Sequence, residues 1–124
     1  MDIDAGEVKQ AKHGVDAVYD SWEHALKDVL EWVNWARVPA PTWVIRSGEG
    51  LHLYWVTEEA MNLAMWKPLQ AGLMRLARDG DVKVDASVGS MNELLRLPGG
   101  VHQGSGRTVE ILENPSTQVR YSYL

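Results

Sequence analysis

The stretch from Trp43 to Trp55, WVIRSGEGLHLYW, constrains the fold more than any other part of the chain. It holds two short runs rich in Val, Ile, Leu, Tyr and Trp, preceded by Pro41 and followed by the helix-favouring Glu58 and Glu59, which reads as a pair of strands. Ser47, Gly48, Glu49 and Gly50 join them, and the glycines permit a hairpin connection with positive φ and uncovered backbone N–H groups. Such a turn can cradle an anion. In the second run a period of two puts His52 and Tyr54 on one face and Leu51, Leu53 and Trp55 on the other. His52 therefore projects beside the turn, away from the packed face. Most glycine-rich hairpins are only hairpins, and most lone strand histidines hold no ligand, so function has to come from the neighbours.

With 124 residues the chain can bury one core, and a single domain over 1–124 is expected. No apolar run is long enough for a membrane span, and the first residues are not a secretory signal. The absence of cysteine excludes disulfides and thiolate metal sites, which leaves carboxylates and imidazoles as metal ligands and fits a cytoplasmic protein. A net charge of −5 argues against a broad basic surface for nucleic acid but permits a local basic patch beside an acidic metal site.

Taken in order, the chain opens on Asp2 and Asp4, which share a face if this segment is a strand and could hold a hard divalent cation such as Mg²⁺ or Mn²⁺. Acidic residues near a chain end are more often merely solvated. Residues 7–14 read as a loop. A helix follows from Asp20 or Ser21, either of which can cap it, with Trp22, Ala25, Leu26, Val29, Val33 and Ala36 at helical spacing. Pro39 and Pro41 end it. A second helical region is expected after a Thr57 cap, with Pro68 in the first turn of a further segment and a stop at Asp79 and Gly80. Val82 to Asp85 reads as a short strand that turns Asp85 off the core face. Leu94 to Leu97 reads as an apolar strand whose Arg96 needs an anionic partner, closed by Pro98, Gly99 and Gly100. Val101 to Arg107 reads as a loop carrying His102. Strands are expected over Thr108–Leu112 and Val119–Tyr123.

The succession DID, SGEGLHLYW, an Asp in a short strand and RLPGG resembles the archaeo-eukaryotic primase superfamily, in particular the primase-polymerase domains of plasmids and phages, over nearly the whole chain. Asp2 and Asp4 match its Asp-x-Asp motif, Ser47 to His52 its Ser-x-His type hairpin, Asp85 its later Asp, and Arg96 to Gly99 its Arg-x-Pro-Gly segment. No single motif is specific; four in order are. The resemblance implies an α+β fold with an antiparallel sheet like that of an RNA-recognition motif and helices packed on one face. It implies a DNA primase or polymerase core in which Asp2, Asp4 and Asp85 hold two Mg²⁺ or Mn²⁺ ions, with His52 beside them. Ser47, the amides of Gly48 to Gly50, His52 and Arg96 would hold a nucleoside triphosphate, with Arg107, His102 and Arg46 as further phosphate donors. Its partners would be a DNA template and primer and a helicase or other replication domain, with no membrane.

This chain departs from the family in two places. Only Met1 precedes Asp2, where relatives have several apolar residues, which is expected of a truncated or excised domain. After Pro98 and Gly99 come His102, Gln103 and Arg107, where relatives often carry Asn and Lys. One alternative is a catalytically silent member that binds nucleotide or a replication protein. Another is a replication-initiator nickase, whose metal site wants two histidines around a hydrophobic residue; here His52 is followed by Leu53 and Tyr54.

Overall fold

The computed structural model describes residues 1–85, 95, 97–112 and 120–122. In chain order its elements are β1 (Asp2–Ile3), α1 (Glu7–His13), α2 (Trp22–Trp35), β2 (Trp43–Arg46), β3 (Leu51–Tyr54), α3 (Leu63–Asp79) and β4 (Glu110–Ile111). The four strands form one antiparallel sheet in the order β1-β3-β2-β4, so the α+β expectation holds. The hairpin lies at its centre, with Trp43 opposite Tyr54 and Arg46 opposite Leu51.

Register divides the side chains between two faces. Ile3, Leu51, Leu53 and Val44 point to the same side and pack against Ala25, Val29 and Trp32 of α2 and Ala77 of α3. Each such aliphatic chain contributes about 1.5–3 kcal/mol when fully buried, so a one-residue slip that turned them outward would cost more than the fold can bear. The opposite face carries Asp2, His52, Tyr54, Ile45 and Trp43.

Ser21 caps α2, its hydroxyl accepting the His24 N–H at 3.2 Å. That helix ends at Ala36, and Arg37 takes a positive φ of 54°, so it stops before the prolines are reached. Trp32 ties the two long helices together, its indole N–H donating to the Leu76 carbonyl at 3.0 Å. Tyr19 joins two further segments: its hydroxyl donates to Asp28 Oδ2 at 3.1 Å and accepts the Lys83 N–H at 3.3 Å.

Several local expectations are corrected. Residues 7–13 form α1 rather than a loop; Gly6 and Gly14, both at positive φ, bracket it, and none of its residues is buried, so it leaves no apolar period to read. α3 starts at Leu63 behind an Asn62 cap that accepts the Met65 N–H at 3.0 Å, not at Thr57, whose hydroxyl donates to the Glu59 carbonyl at 2.7 Å. Pro68 is the sixth residue of this one 17-residue helix and begins no new segment. Val82 to Asp85 joins no ladder among the described residues. The strand expected over 108–112 shortens to β4, with Thr108 bridging Val101. Of Leu94 to Leu97, Leu94 and Arg96 lie outside the described residues, as do Val119 and Tyr123 of the final expected strand; Tyr121 makes a parallel bridge to Thr57.

Two predictions follow from packing. A Cβ at Gly50 would run into the Ile3 carbonyl oxygen, which is part of the β1–β3 ladder, so Gly50→Ala is expected to lose about 1–3 kcal/mol in urea unfolding. Burial pushes the Tyr19 phenol up to about 12, and the neighbouring Asp28 carboxylate adds to this. Folded and unfolded chains both keep the phenol neutral below pH 10; between 10 and about 12 the unfolded chain ionises first, so stability falls across that window. Tyr19→Phe should flatten that part of the pH–stability curve.

Candidate functional site

The site is generated by the pairing of β1 with β3. Met1 and Leu53 exchange both backbone hydrogen bonds, each at 2.9 Å, which makes the next pair, Asp2 and His52, a non-hydrogen-bonded one. Side chains approach most closely across such a pair. His52 Nε2 accordingly lies 3.3 Å from Asp2 Oδ1, with the imidazole 3% and the carboxylate 16% exposed. The other ring nitrogen, Nδ1, is buried with no partner among the described residues.

Two residues along the same face, burial pushes the Tyr54 phenol above its ordinary value, and the charge of Asp2 pushes it further. Trp43 meets the Tyr54 ring edge-on, 6.3 Å between centroids. The imidazole thus lies on the face the alternation assigns to it, but covered, where open exposure was expected.

The hairpin turn uses one of its own amides. The Ser47 N–H donates to the Gly50 carbonyl at 3.0 Å, which closes the hairpin turn. Gly48 has a φ of +107°, and a Cβ there would meet His102 Cγ at 2.7 Å; one at Gly104 would meet His102 Cε1 at 3.1 Å. The His102 ring is therefore slotted between two glycines. Its Nδ1 accepts the Ser105 N–H at 3.0 Å and lies 2.9 Å from the Ser105 hydroxyl, which places the proton of the neutral ring on Nε2. Part of the turn expected to be uncovered is thus roofed by this imidazole.

These elements enclose a cavity of about 170 Å³. Asp2, Asp4, Ser47, Gly50, His52 and His102, all singled out from the sequence, line it, together with Lys9, Glu49 and Ser105, which were not. Lys9 had no signal because α1 itself had none; Glu49 and Ser105 were hidden among loop residues. A second cavity of about 450 Å³ holds Asp85 and shares Asp4 and Lys9 with the first. The Asp85 N–H donates to the Asp2 carbonyl at 2.9 Å, so its backbone is anchored next to β1 while its side chain lines the neighbouring space. Arg107 lines a third cavity with Trp22 and Glu49. Arg46 faces the helices, 3.1 Å from Glu110 and 5.5 Å above the Trp22 ring. Arg96 lies outside the described residues.

Asp4 is held by Lys9, Nζ to Oδ1 at 3.1 Å. Among the described residues no group of three or more His, Asp or Glu is gathered around one point that could hold a metal. No helix among them is long and apolar enough to cross a membrane.

No family model matches the chain, and no curated relative matches it. In structure it is similar to the AEP domain of the cyanophage S-2L primase-polymerase (PrimPol), with a TM-score of 0.62 and 23% identity, over 98% of this chain and 52% of that one. The chain spans about half the length of that neighbour, and what the two share is the fold.

The Gly48–His102 contact is directly testable. Gly48→Ala combines a positive φ with a clash against the ring, and is expected to cost about 1–3 kcal/mol and to shift the His102 imidazole resonances in NMR spectra. Gly14→Ala, also at positive φ but with open space around it, should leave those resonances in place.

Proposed function

We propose that this chain is a nucleotidyltransferase core of the archaeo-eukaryotic primase type, which adds nucleotides to a primer 3′-hydroxyl on a DNA template. The observation that carries this reading is Asp2 facing His52 at a cavity also lined by Asp4, Ser47 and Gly50, on a fold similar to a PrimPol AEP domain.

The donors fit hard divalent cations in chemical type: carboxylate oxygens of Asp2 and Asp4 in one wall, and of Asp85 in the space sharing Asp4. The unpartnered buried Nδ1 of His52 is a second sign that this place is built for a ligand. In this reading Asp2, Asp4 and Asp85 hold Mg²⁺ or Mn²⁺, which when bound would lower the pKa of the primer hydroxyl and offset charge at the reacting phosphate. The Ser47 hydroxyl, the amides of Gly48 to Gly50 and His52 bind the triphosphate. His102, beside the turn, is a further phosphate-binding residue in this reading, and Arg96 and Arg107 stand as others. A helicase or other replication domain would act beside this core.

A second reading, a silent member that binds nucleotide without chemistry, is favoured by the engagement of Asp2 with His52 and of Asp4 with Lys9. Extension of a primed DNA template with Mg²⁺ or Mn²⁺ separates the two. Asp2→Ala and Asp85→Ala are expected to reduce incorporation by on the order of 10²-fold or more, and His52→Ala to raise the KM for nucleotide. Equal incorporation by all four proteins would overturn the catalytic reading. Nucleotide binding by a wild type that incorporates nothing would establish the silent one.

A further inference from the structure

We propose that Lys9 is a resident counter-ion which holds Asp4 while the site is empty and passes its ammonium to the triphosphate once a metal ion takes over that carboxylate. This rests on the nucleotidyltransferase reading and assigns a role within it to a residue outside the four motifs.

Lys9 stands on α1, its Nζ 3.1 Å from Asp4 Oδ1, and together with Asp4 it lines both the first cavity and the one that holds Asp85. In the wall of the first cavity three carboxylates, Asp2, Asp4 and Glu49, stand with a single ammonium among the described residues, that of Lys9, beside the imidazoles of His52 and His102. An excess of negative charge repels a triphosphate and attracts a divalent cation, so metal and anion cannot both be served by the wall as it stands.

Lys9 resolves this conflict. Its side chain is 43% exposed, and an ion pair exposed to that degree is weak enough for a divalent cation to displace it. The ammonium then released is a mobile point charge on a flexible stem, suited to phosphate oxygens of changing position. The helix that bears it buries none of its residues, so its own packing does not oppose a shift of the side chain.

Three variants test the proposal: Lys9→Met, Lys9→Arg and Asp4→Asn, each checked by thermal melting against the wild type. Free Mn²⁺ is followed by its electron paramagnetic resonance signal without nucleotide, and binding of a deoxynucleoside triphosphate is then titrated with Mn²⁺ present. Removing the competing ammonium in Lys9→Met is expected to tighten Mn²⁺ by about fivefold. The same variant should weaken the triphosphate by about tenfold, with Lys9→Arg restoring both towards wild type. Mn²⁺ and triphosphate affinities both unmoved in Lys9→Met, with Mn²⁺ binding lost in Asp4→Asn, would overturn the role of Lys9 and leave the metal site standing. If the wild type itself binds no Mn²⁺, or Asp4→Asn binds it equally well, the nucleotidyltransferase reading falls and takes this inference with it.

Discussion

Two hydrogen bonds between Met1 and Leu53 set the geometry on which the rest of the site depends. They fix which pairs of the β1–β3 ladder are closely opposed, so that Asp2 meets His52 across a narrow gap while Ile3 turns into the core beside Leu51. The same register does two things at once. It buries an apolar residue on the helical side and holds an acid against an imidazole on the other. A strand of two residues can hold this register because Ile3 is wholly buried and Gly50 lets the two backbones come close.

How much of this was legible follows from the range of each signal. The hairpin, the faces of His52 and Leu53, and the capped α2 could be read because strand alternation, glycine turns and a serine cap act within a few residues. α1 could not, since a short helix that buries nothing carries no apolar period. Pro68 misled because proline marks helix starts far more often than interiors. The start of α3 was misplaced because Thr57 and Asn62 are both good caps, and only tertiary context chooses between them. Among site residues, Asp2, Asp4, Ser47, Gly50, His52 and His102 do converge on one cavity. Arg107 and Arg46 do not, for neither alternation nor motif order says which side of the sheet a loop or a long side chain will take.

Electrostatics explains the character of the cavity better than any single residue. Two of its three carboxylates are paired in place, Asp2 with an imidazole and Asp4 with an ammonium. Such pairing lets acidic groups sit at low exposure without the desolvation cost of bare charges. Burial and the nearby Asp2 together keep the Tyr54 phenol neutral well into alkaline conditions, so the aromatic end of this face stays uncharged while the acidic end does not. The sheet surface is thereby polarised along its strands.

The imidazole wedged between Gly48 and Gly104 brings together parts of the chain roughly fifty residues apart. Closing so long a loop is slow compared with zipping a local hairpin, so the turn can form early and acquire its roof late. During synthesis the acid–imidazole pair would emerge from the ribosome well before the segment that covers it. The nascent domain would pass through a stage with β1, β2 and β3 paired and the turn uncovered, before the His102 segment and β4 have emerged.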